Sequence, residues 1–206
     1  MADPLTLVID TATPACSVAL LDGDRVVAEA HELVGRGHAE RLLPMIEQLL
    51  ARRRPDAILV DCGPGSFTGV RVGLAAAQGL RIGWAVPLSG YSSTSLLAAA
   101  AAREPGAGIG VALHGGHGQI FVQSFADDPL RPLDPLASLH PAEAARVLQA
   151  EVVIGSGAAA LVAARGWGEA RDALPRAADA WLLPPALRAL APKPIYGRAA
   201  DAKVPA

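Results

Sequence analysis

A chain of 206 residues that is 51% hydrophobic and 18% charged can fill the core of one domain or of two small lobes, which excludes a disordered protein. Its formal net charge of −2 excludes autonomous electrostatic binding to nucleic acid, and the run Arg52-Arg53-Arg54 is short enough to be charge compensation at a helix end. No apolar stretch runs to about 18 residues without a polar or breaking residue, so no membrane-spanning helix is expected.

Residues 5–10 and 16–21 read as strands joined through Thr11-Ala12-Thr13-Pro14, and the Asp22-Gly23-Asp24 turn leads into a third strand from Arg25. Asp3 and Pro4 stand where a basic and apolar leader would begin, and Cys16 and Cys62 fall in or beside strands. The expectation is two buried thiols in a reducing cytoplasm rather than a disulfide. Over residues 38–53 the apolar positions Leu42, Leu43, Met45, Ile46, Leu49 and Leu50 recur at three and four, which predicts a helix, with Pro44 as the local objection. Residues 57–62 form a buried-type strand, 68–84 a helix, 86–88 a short strand and 91–103 a helix. A Pro/Gly-rich break at 104–110 precedes a hairpin of 109–113 and 119–125 around Gly115-Gly116-His117-Gly118. A helix at 141–149, a strand at 152–155 and a helix at 158–165 follow, and the tail from Pro192 is extended. A meander and then alternating helices and strands, twice over, predicts a two-lobed α/β fold of actin-like or ribonuclease-H-like type. The lobes fall at residues 1–104 and 105–206, the second copy is degenerate, and the tail returns to the first lobe.

Residues 61–71, Asp-Cys-Gly-Pro-Gly-Ser-Phe-Thr-Gly-Val-Arg, place a glycine-rich turn between a strand and a helix, the setting of an anion cradle. The turn lacks the lysine of a Walker loop, and Thr68 stands where a dinucleotide fingerprint needs its third glycine or alanine. Asp10 and Asp61 both fall at strand C-termini, where paired carboxylates can hold Mg²⁺ for phosphoryl transfer or nuclease chemistry, or serve only as turn caps. Of the five histidines, His114 and His117 flank a loose glycine turn and make no zinc set. Ser66 is a helix cap and not a nucleophile elbow. In the helix that follows, Gly69, Gly73, Ala76, Ala77, Gly79 and Gly83 make small stripes; one face packs on its own sheet, and the second is open to another chain. A mean hydropathy of +0.32 points the same way.

Three ordered segments carry a family resemblance: Val8-Ile9-Asp10-Thr11-Ala12-Thr13 with Cys16-Ser17-Val18-Ala19-Leu20, His38-Ala39-Glu40-Arg41-Leu42-Leu43-Pro44, and Gly63-Pro64-Gly65-Ser66-Phe67-Thr68-Gly69-Val70-Arg71. Together they closely resemble the TsaB (YeaZ) family over residues 5–100; beyond that, the likeness rests on layout and on the tail Pro194-Ile195-Tyr196-Gly197-Arg198. TsaB proteins are non-catalytic partners of TsaD, which with the ATPase TsaE installs threonylcarbamoyl on the adenosine beside the tRNA anticodon. TsaD carries a His-x-x-x-His metal pair beyond its own Gly-Pro-Gly loop, whereas residues 87–95 here hold no histidine. Hydroxyls alone hold such a metal poorly.

The resemblance therefore implies a pseudoenzyme with no catalytic residue, no metal and no cofactor of its own, which reaches tRNA through the complex. It implies a heterodimer with TsaD through the two first-lobe helices, at His38, Leu42, Met45, Ile46, Leu49, Arg71, Gly73, Ala76, Ala77 and Leu80, and self-association of the isolated chain through the same face. ATP or ADP would sit at the complex interface, for which Asp10, Gly63, Gly65 and Ser66 are the candidate contacts. The family's Asp-Ala-Arg opening of the second-lobe hairpin is replaced here by His114-Gly115-Gly116-His117-Gly118.

Overall fold

The computed structural model describes residues 4–102 and 108–197. The first sheet contains β1 (Leu5–Asp10), β2 (Ala15–Asp22), β3 (Arg25–Leu33), β4 (Ala57–Asp61) and β5 (Leu88–Tyr91) in the order β3-β2-β1-β4-β5. β1 pairs antiparallel with β2 and parallel with β4. The second sheet contains β6 (Ile109–His114), β7 (Ile120–Asp127), β8 (Leu130–Pro132), β10 (Val152–Ile154) and β11 (Glu169–Arg171), in the order β11-β10-β6-β7-β8. β6 pairs antiparallel with β7 and parallel with β10. Each sheet thus puts its first strand between a hairpin partner and a crossover strand, so one unit occurs twice. The second copy is broken at its hairpin edge: β9 (Ala137–Leu139) takes one half of β7 and β8 the other.

Period-two alternation sorts the core into layers. On one face of the first sheet, Leu7, Ile9, Val18 and Leu20 meet α1 (His38–Leu50) and α2 (Phe67–Trp84). On the other face, Val8, Ala19 and Leu59 meet α3 (Ser93–Ala101) and the 3-10 turn Ala177–Leu182. α3 is shared, since Leu96 and Ala99 face the first sheet while Leu97 and Ala98 pack with Val111, Leu113 and Phe125 of the second. α4 (Pro141–Val147) and α5 (Ala158–Arg165) cover the outer face of the second sheet. Beyond β11 the chain crosses back, and Ala177, Ala178, Ala180 and Leu183 are buried against the first lobe.

α1 runs through Pro44, which lies on the exposed side, where the Glu40 carbonyl that loses its amide partner is left to water. The arginine run caps two helices: Arg53 donates to the carbonyls of Leu49 and Leu50, and Arg54 to that of Trp84. The fifth strand ends at Tyr91 and not at residue 88, because Tyr91 completes the parallel ladder opposite Asp61. Ser92 caps α3, its hydroxyl accepting from the Ser95 amide. Strands β8, β9 and β11, three residues each, are too short for a periodic signal, and the 3-10 turns at Ala177–Leu182 and Pro185–Arg188 carry none either. Both cysteines are free and buried. Residues 103–107, which hold most of the expected lobe boundary, and Arg198 of the tail motif lie outside the described residues.

The entry of α2 is the tightest junction in the first lobe. A Cβ on Gly65 would collide with the carbonyl of Ala12, one on Gly69 with the carbonyl of Thr11, and one on Gly73 with the Thr11 hydroxyl. That hydroxyl donates to the Gly69 carbonyl at 2.8 Å, and the Ser66 amide donates to the Ala12 carbonyl at 2.7 Å. Gly79, two turns on, meets open space. Gly69→Ala should therefore cost about 1–3 kcal/mol of stability by overpacking, whereas Gly79→Ala should add up to about 1 kcal/mol through helix propensity. Urea unfolding of the two variants checks both signs.

Candidate functional site

The parallel register that pairs Ile9 with Val60 sets Asp10 and Asp61 side by side at the strand ends. Both are sealed, at 0% and 2% exposure. Asp10 accepts from the Tyr91 hydroxyl at 3.0 Å and the Ala12 amide at 3.3 Å. Asp61 accepts from the Ser93 hydroxyl at 2.7 Å and the Gly63 amide at 2.9 Å. Burial, then the neighbouring Asp61 charge, holds the Asp10 carboxyl well above the usual carboxylate range. Burial also raises Asp61, to about 6, against the pull of the Ser93 and Gly63 donors. The Asp61 charge adds to burial at Asp10, whereas the Ser93 and Gly63 donors offset burial at Asp61, so Asp10 is the carboxyl that holds the proton. The pair thus cross-ties β1, β4, β5 and α3, with no oxygen facing solvent for an ion. Among the described residues no cluster of three His, Cys, Asp or Glu side chains could hold a metal.

Three amides of the glycine turn are occupied from within. Its Gly63 amide serves Asp61, its Ser66 amide serves Ala12, and the Gly69 amide serves the Ser66 hydroxyl at 3.2 Å. The Gly63 carbonyl accepts from the Ser93 amide at 3.0 Å. A phosphate cradle needs converging free amides; here the bend at Thr11 and Ala12 takes that place. The histidine-free segment is a closed hydroxyl set. The Ser92 hydroxyl lies 2.9 Å from that of Thr94 and 3.0 Å from that of Ser95, and Thr94 donates to Gln123 of the second lobe at 2.8 Å.

Above these groups a cleft of about 670 Å³ separates the lobes, with Ala12, Thr13, Gly65 and Ser66 on one side and His114, Gly115, Gly116 and Ser156 on the other. Phe67, Arg71, Phe121 and Tyr196 also line it. Of the candidate nucleotide contacts, Gly65 and Ser66 reach this cleft, and Asp10 and Gly63 lie beneath it with Asp61. Phe67, Phe121, Tyr91 and Ser93 were not singled out from sequence as site residues. Tyr91 closes a strand and Phe67 and Ser93 open helices, which is the one local signal they carry, while Phe121 lies within a strand and has none.

The two first-lobe helices turn most of their expected partner residues inward. Leu42, Met45, Ile46, Leu49, Gly73 and Ala77 are buried in the chain's own core. His38 is buried too, its Nε2 lying 2.8 Å from the Thr13 carbonyl and 3.2 Å from that of Ala15. Arg71 is exposed, and Ala76 and Leu80 are half-buried. The outward faces carry Leu43 at 51%, Phe67 at 59% and Ile82 at 77% exposure; Leu43 counts in the three-four pattern of α1 yet faces out, and Phe67 and Ile82 lie off the stripe that faces the sheet. No helix among the described residues is long and apolar enough to cross a membrane.

A unit of three antiparallel strands and two parallel crossover strands, present twice and carrying an acid at the end of its first strand in the first lobe, defines a two-lobed actin-like α/β protein. Two solved Pseudomonas aeruginosa structures share this fold over their length. One, an uncharacterised protein with similarity to peptidase YeaZ, is 31% identical, with a TM-score of 0.79 over 95% of this chain and 100% of that one. The other, YeaZ, is 33% identical, with a TM-score of 0.74 over 87% of this chain and 90% of that one. The chain belongs to the TsaB (YeaZ) family. The family model described as TsaD, tRNA N6-adenosine threonylcarbamoyltransferase, matches residues 30–130. The Escherichia coli tRNA threonylcarbamoyladenosine biosynthesis protein TsaB is 44% identical over 106 residues, 49% of this chain and 46% of that protein. Its Haemophilus influenzae counterpart is 46% identical over 46% of this chain and 42% of that protein. The match thus spans less than half the length of these curated relatives.

Because Asp10 binds its proton more tightly in the fold than the unfolded chain does, its contribution is fully present below the unfolded value of 3.8 and is lost as pH rises toward the raised one. Asp10→Asn keeps an acceptor for the Tyr91 hydroxyl without the charge. Urea unfolding at pH 5 and pH 8 should show a fall in wild-type stability on the order of 1 kcal/mol or more, and a smaller fall in Asp10→Asn.

Proposed function

We propose that this chain is a non-catalytic scaffold subunit in tRNA threonylcarbamoyladenosine biosynthesis, which pairs with TsaD and acts with TsaE. The observation that carries the reading is the sealed acid pair in a chain of the TsaB family: the strand-end position that could hold a metal is closed to solvent and cross-tied. An enzyme using Asp10 and Asp61 for Mg²⁺-dependent phosphotransfer or nuclease chemistry would need an accessible carboxylate oxygen at that position. The likeness to curated TsaB proteins and the TsaD family-model match support the assembly. In this reading tRNA is met through the complex, and ATP or ADP sits where the subunits meet and not in a cradle of this chain.

The docking face would be the outward side of α2 with its neighbour α1, where exposed Ile82 and Leu43 flank Ala76, Gly79 and Leu80. Open space around Gly79 and Gly83 lets another backbone approach closely. The same face supports self-association of the isolated chain. The subunit would raise TsaD activity by favouring its competent arrangement, without supplying a catalytic group.

Reconstituted tRNA modification with TsaD, TsaE and the carbamoyl-adenylate supplier should depend on this chain and persist with Asp10→Asn. Modification at full rate without the chain, or its loss with a folded Asp10→Asn, would overturn the reading. Gly79→Leu gains helix propensity of roughly 1 kcal/mol, so the variant should fold at least as well as the parent while losing TsaD co-purification. Undiminished co-purification by both Gly79→Leu and Ile82→Glu would sink the α2 docking face.

A further inference from the structure

The scaffold role makes no use of the cleft between the lobes, whose volume of about 670 Å³ falls within the range of small-molecule sites. Its walls are largely apolar, with aromatic rings on both sides: Phe67 at the start of α2, Phe121 on β7, and Tyr196 in the tail. Phe67 and Tyr196 are 59% and 55% exposed, so their rings are available to a ligand. The tail is held there at both ends, since the Ile195 amide donates to the Cys62 carbonyl and Gly197 lies against the Phe121 ring.

One charged side chain dominates the lining. The Arg71 guanidinium lies 3.5 Å over the Phe67 ring and donates to the Tyr196 hydroxyl at 3.0 Å. Stacking occupies its face and leaves its remaining in-plane donors directed around its edge, the geometry that accepts a carboxylate or phosphate. Among the described residues no Asp or Glu lines the cleft and no carboxylate pairs with Arg71. Hydroxyls of Ser66 and Ser156 and the ring of His114 add hydrogen-bonding groups on both walls.

We propose that this cleft binds a small organic anion: one carboxylate or phosphate monoester head on a flat apolar body. Arg71 takes the head, and the Phe67, Phe121 and Tyr196 rings take the body. A single head group follows from the chemistry of the lining. Among the described residues Arg71 is its one arginine or lysine. The Gly63, Ser66 and Gly69 amides are held internally, and among the described residues there is no cluster of ligands for a cation that would carry a polyphosphate. The site is independent of the scaffold role, so its failure leaves that reading standing.

Calorimetric titration of the full chain with phenyl phosphate, and separately with phenylacetate, tests the proposal and identifies the head. Saturable binding of at least one is expected, with amide shifts in the NMR spectrum at Gly115, Gly116 and Ser156. Arg71→Gln lies on an exposed position and should weaken the better probe by about tenfold or more, while Arg71→Lys, which keeps the charge, should weaken it less. With both variants folded by circular dichroism, binding by Arg71→Gln equal to wild type would overturn the proposal. So would shifts confined to residues outside the cleft, or no binding of either probe at millimolar concentration. Mg-ATP binding that survives Arg71→Gln and exceeds both probes would overturn the single-head assignment.

Discussion

The first lobe depends on the close approach of the Thr11–Thr13 bend to the opening turns of α2. Three glycines at four-residue spacing remove the side chains that would hold the two backbones apart. The Thr11 hydroxyl and the Ala12 carbonyl then fasten the contact, and His38 on α1 reaches the Thr13 and Ala15 carbonyls from the other side. One bend thus aligns both helices on the sheet. The carbonyls that press on α2 stand where an anion would sit in a cradle of the same shape. The glycines serve packing within the chain, and their resemblance to a phosphate loop comes from a shared requirement for near contact.

The acid pair beneath the bend shows a related closure. Burying two carboxylates together is strongly unfavourable unless each is hydrogen-bonded and one keeps its proton. Tyr91, Ser93 and the amides of Ala12 and Gly63 meet that condition. With these partners the pair joins three strands and a helix, and the neighbouring hydroxyls of Ser92, Thr94 and Ser95 satisfy one another. Groups placed where chemistry could occur have become a structural knot.

The fold was legible where segments were long and periodic. The alternation of Leu7, Val8 and Ile9 and the three-four spacing of α1 each bury the faces they imply. The site was less legible, because buried and exposed faces of a helix differ only in which stripe is apolar, and both α1 and α2 carry apolar residues outside that stripe. Hence Met45 and Leu49 stood out although they face the sheet, while exposed Phe67 and Ile82 did not. Pro44 was a poor guide for a physical reason: a proline on the solvent side of a helix leaves a carbonyl that water can satisfy. The cleft joins residues from position 12 to position 197, a separation no local pattern encodes.

The shared position of α3 has a thermodynamic consequence. Its leucines and alanines belong to the cores of both sheets at once, and the chain beyond β11 returns to bury alanines against the first sheet. Neither half can lose its order without exposing apolar surface that the other half requires. Repeated lobes elsewhere can melt as separate units, but here the duplication is one of architecture only, and heat should take the two halves apart in a single cooperative step.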